Sequence, residues 1–433
     1  MSLNDQRIQK LDSPEIEEHL KMLYGQDEKV LNEEKNRYAA LLRRHEETFG
    51  EKEQVVFFSA PGRTEIGGNH TDHNRGRVLA ASVNLDTLCA ASPREDLTVH
   101  FDSEGYDPIT MDLSNTDPQS GEEGTTRAVI RGVADGMKKA GYRIGGFDAV
   151  VTSTVAGGSG LSSSAAVEVM LTALFDGLFN DFSMPYVQRA QISQRAENLF
   201  FGKPSGLLDQ MASAAGGLVT IDFEDNQHPV VEALQYDFAK KGYALVVVAT
   251  GGTHADLTPH YAAVPAEMKS VAACMGQGVL RGISTQDLME RAGDLRSKTS
   301  DRALMRAFHF TEENERVVDE VNALREDRIG DFLKLVIESG RSSSMYLQNI
   351  YATNEDQSLS LALCMAEIML HRKGAWRIHG GGFAGTTLNF VPLQDVDGFV
   401  SEMENTFGEG ACHVLRIRPV GADRIDLDSI PAE

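Results

Sequence analysis

Long apolar segments are missing from this sequence of 433 residues. A membrane-spanning helix needs about 20 consecutive, mostly apolar residues, and no stretch approaches that length. Residues 1–30 carry charged side chains throughout and include no apolar run of signal-peptide length. We therefore expect a soluble protein with a cytoplasmic location.

Clusters of basic residues are also missing. The chain has 41 lysines and arginines against 64 aspartates and glutamates, which gives a formal net charge of −23. Nucleic acid and anionic membranes attract basic surfaces, so neither is expected as a partner. An anionic ligand must instead be held by a local site.

Cysteines are few, and none of them belongs to a recognisable motif. Cys89, Cys274, Cys364 and Cys412 are scattered, with no CxxC pair and no histidine at zinc-finger spacing. We expect reduced thiols packed in the core rather than disulfides or metal ligands.

The length of the chain predicts more than one hydrophobic core. We expect two lobes, at residues 1–230 and 231–433, because the polar stretch EDNQHP interrupts the pattern near the boundary. Short β-like runs such as VVFFSA and VLAASV indicate a largely antiparallel sheet in the first lobe, with a polar loop over residues 61–77. In the second lobe, helical patterns accompany a few strands, including CHVLRIRPV near the end, which is typical of an α+β arrangement.

Residues 1–50 form a charged segment with helical periodicity. The pattern places Leu31, Tyr38, Leu41 and Leu42 on one side of an amphipathic helix.

A glycine-rich loop, AGGSGLSSSAA at 156–166, leads into an apolar segment of helical character. Its glycines let the backbone approach a ligand, and its serines occupy the first turn of the helix, where unpaired N–H groups favour an anion. The loop predicts a phosphate site, with a flexible linker or an ordinary serine N-cap as the alternative. No GK[ST] sequence follows, so the lysine of a Walker loop is missing.

A second motif, APGRTEIGGNHTDHNRG at 60–76, combines a guanidinium, an imidazole and a carboxylate in Arg63, His70 and Asp72. Such groups suit a polyhydroxylated ligand, because each hydroxyl both donates and accepts a hydrogen bond. A metal site formed by His70, Asp72 and His73 is one alternative, and a solvated polar turn is the other.

A third motif, GAWRIHGGGFAGTTLNFV at 374–391, contains a GxGxxG match. The following TTLNFV indicates a strand rather than a helix, which argues against a dinucleotide-binding unit. We expect a glycine-rich turn between two strands that packs near the phosphate loop.

In this order and at these separations, the three motifs resemble the signature set of the GHMP kinases, named for galactokinase, homoserine kinase, mevalonate kinase and phosphomevalonate kinase. Within this superfamily the resemblance is strongest to the galactokinases, because APGR with GxHTDxN and the mid-chain GLLDQMAS are similar to patterns of that family. It spans about residues 35–420. It implies a two-lobed α+β fold, with an N-terminal lobe like domain 2 of ribosomal protein S5 and a ferredoxin-like C-terminal lobe whose helices pack on an antiparallel sheet.

The resemblance also implies roles for individual residues, with ATP and Mg²⁺ as cofactors. Asp209 in GLLDQ matches the catalytic aspartate of the family, and Arg63 matches the neighbouring arginine. Glu197 matches the magnesium ligand, with Ser164 as its hydroxyl partner. The residues implied in sugar binding are Asn69, His70, Asp72, Gly206 and Tyr261. The residues implied in ATP binding are Gly158, Ser159, Gly160, Leu161, Ser162, Ser163 and Ser164.

Four departures of the second motif from the family pattern GRxNLIGEHTDYN change the chemical type of the residue. Glu65 stands for the asparagine, Gly67 for the isoleucine, Asn69 for the glutamate and His73 for the tyrosine. The glutamate at the position of Asn69 normally contacts the sugar, so these departures bear on sugar preference.

The leading hypothesis is transfer of the ATP γ-phosphate to the C1 hydroxyl of D-galactose. A kinase for a related sugar such as galacturonate, arabinose or N-acetylgalactosamine is the alternative, and a galactokinase-like sugar sensor is a third. The chain is expected to be a monomer or a weak homodimer.

Overall fold

The computed structural model describes residues 2–155, 157–251, 257–351, 353, 355–383 and 385–430. Ala156 of the glycine loop therefore lies outside the described residues, as does Ala384 of the third motif.

The described residues form helices and strands in two lobes, each built round a sheet. The helices are α1 Leu3–Lys10, α2 Pro14–Tyr24, α3 Glu28–Phe49, α4 Thr126–Lys139, α5 Ser163–Phe179, α6 Tyr186–Ala196, α7 Leu208–Ala215, α8 Thr258–Cys274, α9 Thr285–Glu290, α10 Ala292–Lys298, α11 Asp301–Arg325, α12 Ile329–Ser342, α13 Ser358–Leu370 and α14 Val396–Phe407. The strands are β1 Val56–Gly67, β2 Arg77–Pro93, β3 Thr98–Ser103, β4 Ile109–Asp112, β5 Phe147–Ser153, β6 Leu218–Asp222, β7 Val230–Leu234, β8 Tyr243–Ala249, β9 Ala375–His379, β10 Thr386–Pro392, β11 Cys412–Leu415 and β12 Asp423–Ile425.

The first sheet has the strand order β12–β1–β2–β5–β3–β4, and β6 pairs with both β2 and β7. Its pairs are antiparallel except for β3 with β5, so the expectation of a largely antiparallel sheet is confirmed. Helices cover both faces of this sheet, and for this reason the first three residues of β1 are all apolar. Val56 and Phe58 pack into the core beneath α5, while Phe57 points to the opposite face and contacts the N-terminal helices.

The N-terminal segment folds into α1, α2 and α3 rather than a single helix. Asp27 caps α3 by accepting hydrogen bonds from the N–H groups of Lys29 and Val30. The apolar residues expected on one side, Leu31, Tyr38, Leu41 and Leu42, are all buried, which confirms that prediction.

The second sheet has the order β11–β8–β10–β9 and is antiparallel. Alternate residues of β8 face opposite sides: Val246 and Val248 pack against α13 and α14, and Val247 joins the core formed with α11 and α12. That core also contains Ile66 and Leu79 of the first sheet, so one continuous apolar cluster joins the two lobes.

Two of the expected boundaries are wrong. The loop expected over residues 61–77 is confined to residues 68–76, because β1 continues to Gly67. Irregularities between Pro61 and Arg63 and between Glu65 and Gly67 accommodate the residues that suggested a turn. The strand expected over residues 412–420 ends at Leu415, because the chain then crosses to the first sheet, where β12 pairs with β1.

The lobe boundary expected at residue 230 stays a prediction; β7, which starts at that residue, pairs with β6 of the first sheet. No helix among the described residues has the length and apolar character needed to cross a membrane.

A buried carboxylate anchors the N-terminal helices to the first sheet. Asp86 of β2 is fully buried and accepts hydrogen bonds from Tyr24 of α2 at 2.7 Å and Arg37 of α3 at 2.7 Å. Arg418 donates to it from the C-terminal segment at 3.1 Å. Burial by itself would raise the pKa of Asp86, but the guanidinium groups of Arg37 and Arg418 outweigh that effect and hold it below its usual value.

Replacing Asp86 with alanine should destabilise the protein strongly, because it leaves Arg418 buried without a counter-charge and Arg37 paired only with Glu34. We expect a loss of about 3–5 kcal/mol in the free energy of unfolding, measured by urea titration at pH 7. Tyr24→Phe, which removes a single hydrogen bond to the same carboxylate, is the control and should lose about 1 kcal/mol. The difference between wild type and Asp86→Ala should shrink as the pH falls below the ordinary aspartate value of 3.8. Equal losses in the two variants would contradict this account.

Candidate active site

Arg63, in β1 of the first sheet, contacts the glycine loop. Its backbone N–H donates to the carbonyl of Leu161 at 3.0 Å, and its Nη1 donates to the carbonyl of Gly160 at 2.6 Å. Gly160 adopts a left-handed conformation, with φ of 72°, which lets the chain turn at this point. The side chain of Arg63 is therefore held by the loop that was expected to bind phosphate.

Asp209 lies in the first turn of α7 and faces the same loop. Its Oδ1 accepts a hydrogen bond from Arg63 Nε at 2.8 Å, and its Oδ2 accepts one from the hydroxyl of Ser162 at 2.6 Å. The side chain is 34% exposed. Loss of solvation would raise the pKa of Asp209, but the charge and hydrogen bond of Arg63, aided by Ser162, hold it below the usual aspartate value. The group is thus a carboxylate at neutral pH.

The glycine loop leads into α5 as expected. Gly158 and Gly160 have positive φ angles, and Ser163 and Ser164 are the first residues of the helix. The N–H groups of a first helical turn have no partner within the helix and carry the positive end of its dipole. The remaining loop residues that the resemblance assigns to ATP, Ser159 and Leu161, are buried.

The third motif packs against this loop, as the sequence suggested. A Cβ atom at Gly160 would lie 2.1 Å from Thr386 Oγ1 and 3.0 Å from His379 Nδ1, so only glycine fits. Gly380 lies on the turn between β9 and β10, and a Cβ atom there would be 3.9 Å from Arg63 Nη2. The second lobe thus forms one wall of the site.

Glu197 lies behind the loop, at the start of a π-helical turn over Glu197–Phe201. Its Oε2 accepts hydrogen bonds from Ser205 at 2.5 Å and Gln210 at 2.9 Å. Its Oε1 accepts a long bond of 3.4 Å from Ser164 and a shorter one of 2.9 Å from Lys203. The expected Ser164–Glu197 pair is therefore brought together, with one carboxylate oxygen directed at the loop.

This donor set fits Mg²⁺. The ion prefers oxygen ligands and is usually held by one or two carboxylates together with phosphates of the substrate. Oε1 of Glu197 and Oγ of Ser164 are such oxygen ligands beside the glycine loop. Among the described residues no group of three or more histidine, cysteine or acidic side chains could hold a metal. The alternative metal site of His70, Asp72 and His73 therefore has no structural support.

Two of the residues expected to bind sugar, Asp72 and Gly206, lie against each other. A Cβ atom at Gly206 would be 1.7 Å from Oδ2 of Asp72. Asp72 Oδ1 accepts a hydrogen bond from the N–H of His73 at 2.9 Å, whereas Oδ2 has no donor among the described residues. Since Gly206 is three residues before Asp209, this carboxylate lies near the reacting groups.

Two other residues expected to bind sugar, His70 and Tyr261, contact the glycine-rich turn of the third motif. His70 Nε2 donates to the carbonyl of Gly381 at 2.9 Å, and the hydroxyl of Tyr261 donates to the carbonyl of Gly382 at 2.8 Å. Burial lowers the pKa of His70 to about 4. The imidazole is therefore neutral at pH 7, and because Nε2 carries the proton, Nδ1 is an acceptor.

The side chain of Asn69 is enclosed by other protein groups. Its Nδ2 donates to Glu65 Oε1 at 2.8 Å and to the carbonyl of Gly380 at 2.6 Å. Its Oδ1 accepts from Ser343 at 3.1 Å and Asn349 at 2.9 Å. These four bonds satisfy the amide of Asn69 with groups of the protein itself. Its contact with a sugar stays a prediction.

Glu65 is buried beside Asn69. Arg377 of β9 donates to the same Oε1 atom at 2.9 Å. Burial raises the pKa of Glu65 to about 7, against the attraction of Arg377. Relative to the family pattern, the amide and the carboxyl group at positions 65 and 69 are exchanged. Glu65 and Asn69 therefore still place one amide and one carboxyl group in contact.

Three residues of the site were not expected from the sequence: Lys203, Gln210 and Arg377. Each acts through a partner that is distant along the chain or hidden inside the fold, such as the Arg377–Glu65 pair. Lys203 gave one local signal, its position six residues after the expected metal ligand. Arg377 gave none, because a basic residue in a short strand is ordinarily a surface residue.

Two family models match regions of the chain that contain residues of this site. Residues 43–93 match the model of the galactokinase galactose-binding signature, and residues 128–217 match that of the GHMP kinases N terminal domain. The first region contains Arg63 and the sugar-binding motif, and the second contains the glycine loop, Glu197 and Asp209.

Whole-chain relatives extend the match. A galactokinase of Streptomyces coelicolor is 31% identical over 380 residues, which cover 86% of this chain and 94% of the relative. The human galactokinase is 31% identical over 388 residues, covering 87% and 93%. The crystal structure of Lactococcus lactis galactokinase complexed with galactose superposes with a TM-score of 0.79 at 25% identity, covering 89% of this chain and 99% of that one.

The mevalonate kinase of Methanococcus jannaschii, at 14% identity and a TM-score of 0.59, shares the fold alone and covers 83% of this chain and 98% of its own. These matches confirm the two-lobed α+β fold expected from the motifs. The Streptomyces coelicolor and human relatives are 31% identical along most of the chain, and an aspartate–arginine pair lies against the glycine loop. The chain therefore belongs to the galactokinase family of the GHMP kinases.

Proposed function

We propose that the protein transfers the γ-phosphate of ATP to the C1 hydroxyl of D-galactose, giving α-D-galactose 1-phosphate and ADP. One observation carries the proposal: the carboxylate of Asp209 is hydrogen-bonded both to Arg63 and to Ser162 of the glycine loop. A hydroxyl acceptor beside Asp209 would therefore lie next to a phosphoryl group held by the loop.

Asp209 acts as an orienting carboxylate more than as a strong base. Its lowered pKa makes it a weak proton acceptor, so it cannot ionise a sugar hydroxyl in the ground state. It can align the hydroxyl through a hydrogen bond and accept its proton as bond formation to phosphorus makes the hydroxyl acidic. This role agrees with phosphoryl transfer as a reaction catalysed mainly by positioning and electrostatics.

Arg63 can contact Asp209 and the transferred phosphoryl group at the same time. Nε and Nη1 are used by Asp209 and the Gly160 carbonyl, which leaves Nη2 for an oxygen of the transferred phosphoryl group. The N–H groups at the start of α5 add further donors. Mg²⁺ held by Ser164 and Glu197 would supply additional charge neutralisation at the phosphates.

The sugar would be bound by acceptors and donors that the fold leaves directed at the site. His70 Nδ1 and Asp72 Oδ2 can each accept a hydrogen bond from a sugar hydroxyl, since neither has a donor among the described residues. Tyr261 bonds the carbonyl of Gly382, next to the Gly381 carbonyl that His70 bonds. We propose a cytoplasmic enzyme that acts as a monomer or a weak homodimer.

A kinase for a related sugar is the second candidate, and Asn69 is the observation that favours it. The position that carries a sugar-facing glutamate in the family pattern holds an amide already bonded to Glu65, Gly380, Ser343 and Asn349. A panel of galactose, galacturonate, arabinose and N-acetylgalactosamine separates the two candidates. A kcat/KM for galactose no higher than for the others would favour the second.

Asp209→Asn should abolish most turnover. We expect ADP release that depends on galactose and Mg²⁺-ATP in the wild type, and a kcat about 10²–10⁴-fold lower in the variant. Asp222→Asn is a matched control, because Asp222 is also partly buried and paired with an arginine, at 2.9 Å, but lies at the far end of β6. Full activity in Asp209→Asn, or an equal loss in the control, would count against the proposal.

Gly206→Ala should weaken sugar binding. The new methyl group would overlap Oδ2 of Asp72 at 1.7 Å and force that carboxylate away. We expect the KM for galactose to rise about tenfold or more, from the loss of a charge-assisted hydrogen bond, with the KM for ATP nearly unchanged. Gly293→Ala, where a Cβ atom meets nothing within 4 Å, is the control. An unchanged KM for galactose would remove Asp72 from the sugar site.

Exchanging the pair at positions 65 and 69 tests why their residue types are reversed. Asn69→Glu alone places a second buried carboxyl group beside Glu65 and should lower both stability and kcat/KM, by about tenfold or more for the latter. The double variant Glu65→Asn with Asn69→Glu restores one carboxyl and one amide group and should recover most of the loss. Losses that simply add in the double variant would contradict a direct coupling.

A further inference from the structure

Lys203 occupies an unusual position above the buried carboxylate of Glu197. The π-helical turn ends at Gly202, whose φ is 88°, and the N–H groups of Gly202 and Lys203 both donate to the carbonyl of Glu197, at 3.0 and 3.2 Å. This tight turn folds the chain back over its own start. It thereby places the ammonium group of Lys203 2.9 Å from Oε1 of Glu197.

The two partners differ sharply in exposure. The side chain of Glu197 is 3% exposed, whereas that of Lys203 is 58% exposed. The carboxylate is therefore fixed inside the protein, while the lysine reaches it from solvent on a flexible stem and can move away. Oε2 of Glu197 is held by Ser205 and Gln210, so Lys203 bonds the one oxygen that faces the glycine loop.

The site needs a positive charge that its own loop does not contain. Three carboxyl groups, those of Glu168, Glu197 and Asp209, lie around the loop and within electrostatic range of Lys203. Arg63 is already bonded to Asp209. The loop has no lysine of the Walker type, so a triphosphate would meet few cations in a protein of net charge −23.

We propose that Lys203 is a phosphate-binding residue, whose ammonium group leaves Glu197 for an oxygen at the β,γ end of the bound nucleotide. In the free protein it neutralises the carboxylate that is proposed to hold the metal. In the complex it provides the cation that a Walker loop carries within its own sequence. This inference rests on the proposed function, because it requires a triphosphate at the glycine loop.

Nucleotide binding to the full-length protein tests this role. Titration calorimetry of ATP, ADP and AMP, each in Mg²⁺ and in EDTA, would be compared for the wild type, Lys203→Met and Lys203→Arg. In EDTA we expect Lys203→Met to raise the Kd for ATP and ADP about tenfold and to leave that for AMP unchanged, because AMP lacks the phosphates in question. Lys203→Arg should keep most of the affinity, and the KM for galactose should not change in either variant.

Lys139→Met is a matched control. Lys139 is 62% exposed and pairs at 2.9 Å with Asp135, whose side chain is 6% exposed, so the same charge is removed from a similar pair in α4. This variant should bind all three nucleotides like the wild type. Three results would overturn the role of Lys203: wild-type affinity for ATP in Lys203→Met, an equal loss for AMP, or an equal loss in Lys139→Met.

The wild type separates this inference from the function on which it rests. A wild-type protein that bound no ATP and released no ADP with galactose would overturn both. An active wild type with an unaffected Lys203→Met variant would overturn only the role of Lys203.

Discussion

The contact between Arg63 and Asp209 is the interaction on which the rest of the site depends. It joins β1 of the first sheet, helix α7, which contains most of the mid-chain motif, and, through the Gly160 carbonyl, the glycine loop. The same contact keeps Asp209 ionised in a partly desolvated position. The guanidinium of Arg63 thus fixes both the position and the charge state of Asp209. It can do so because its planar group offers several donors in fixed directions.

The second lobe fixes the position of the loop over residues 68–76. Glu313 of α11 accepts hydrogen bonds from the N–H groups of Gly68 and Asn69, at 3.1 and 3.3 Å. Its pKa is lowered to about 2, since the attraction of Arg316 outweighs the effect of burial. The loop is therefore positioned by backbone contacts to a fixed negative charge, which leaves the side chains of His70 and Asp72 available for the sugar contacts proposed above.

Charge is distributed unevenly for a protein that is proposed to bind a polyanion. Glu168 behind the loop is buried, and burial together with the nearby charge of Glu197 raises its pKa well above the usual value. Gln210 bridges it to Glu197 by donating to both, at 2.9 Å each. Burial thus favours the uncharged form of one carboxyl group behind the loop, and Lys203 offsets the charge of another. Both effects reduce the repulsion that an incoming phosphate would meet.

The sequence by itself determined the local features: the amphipathic N-terminal helices, the glycine turn ahead of α5, and the motifs whose order identified the family. These follow from periodicity and from residues with special backbone preferences, which act over a few positions. Only the tertiary structure decided that β1 runs through the expected loop, that the Asn69 amide is enclosed, and that Lys203 covers Glu197. The contacts of Asn69 with Ser343 and Asn349, like the Glu65–Arg377 pair, join residues more than 250 positions apart. Such pairings depend on how two lobes pack together, and no local pattern encodes that.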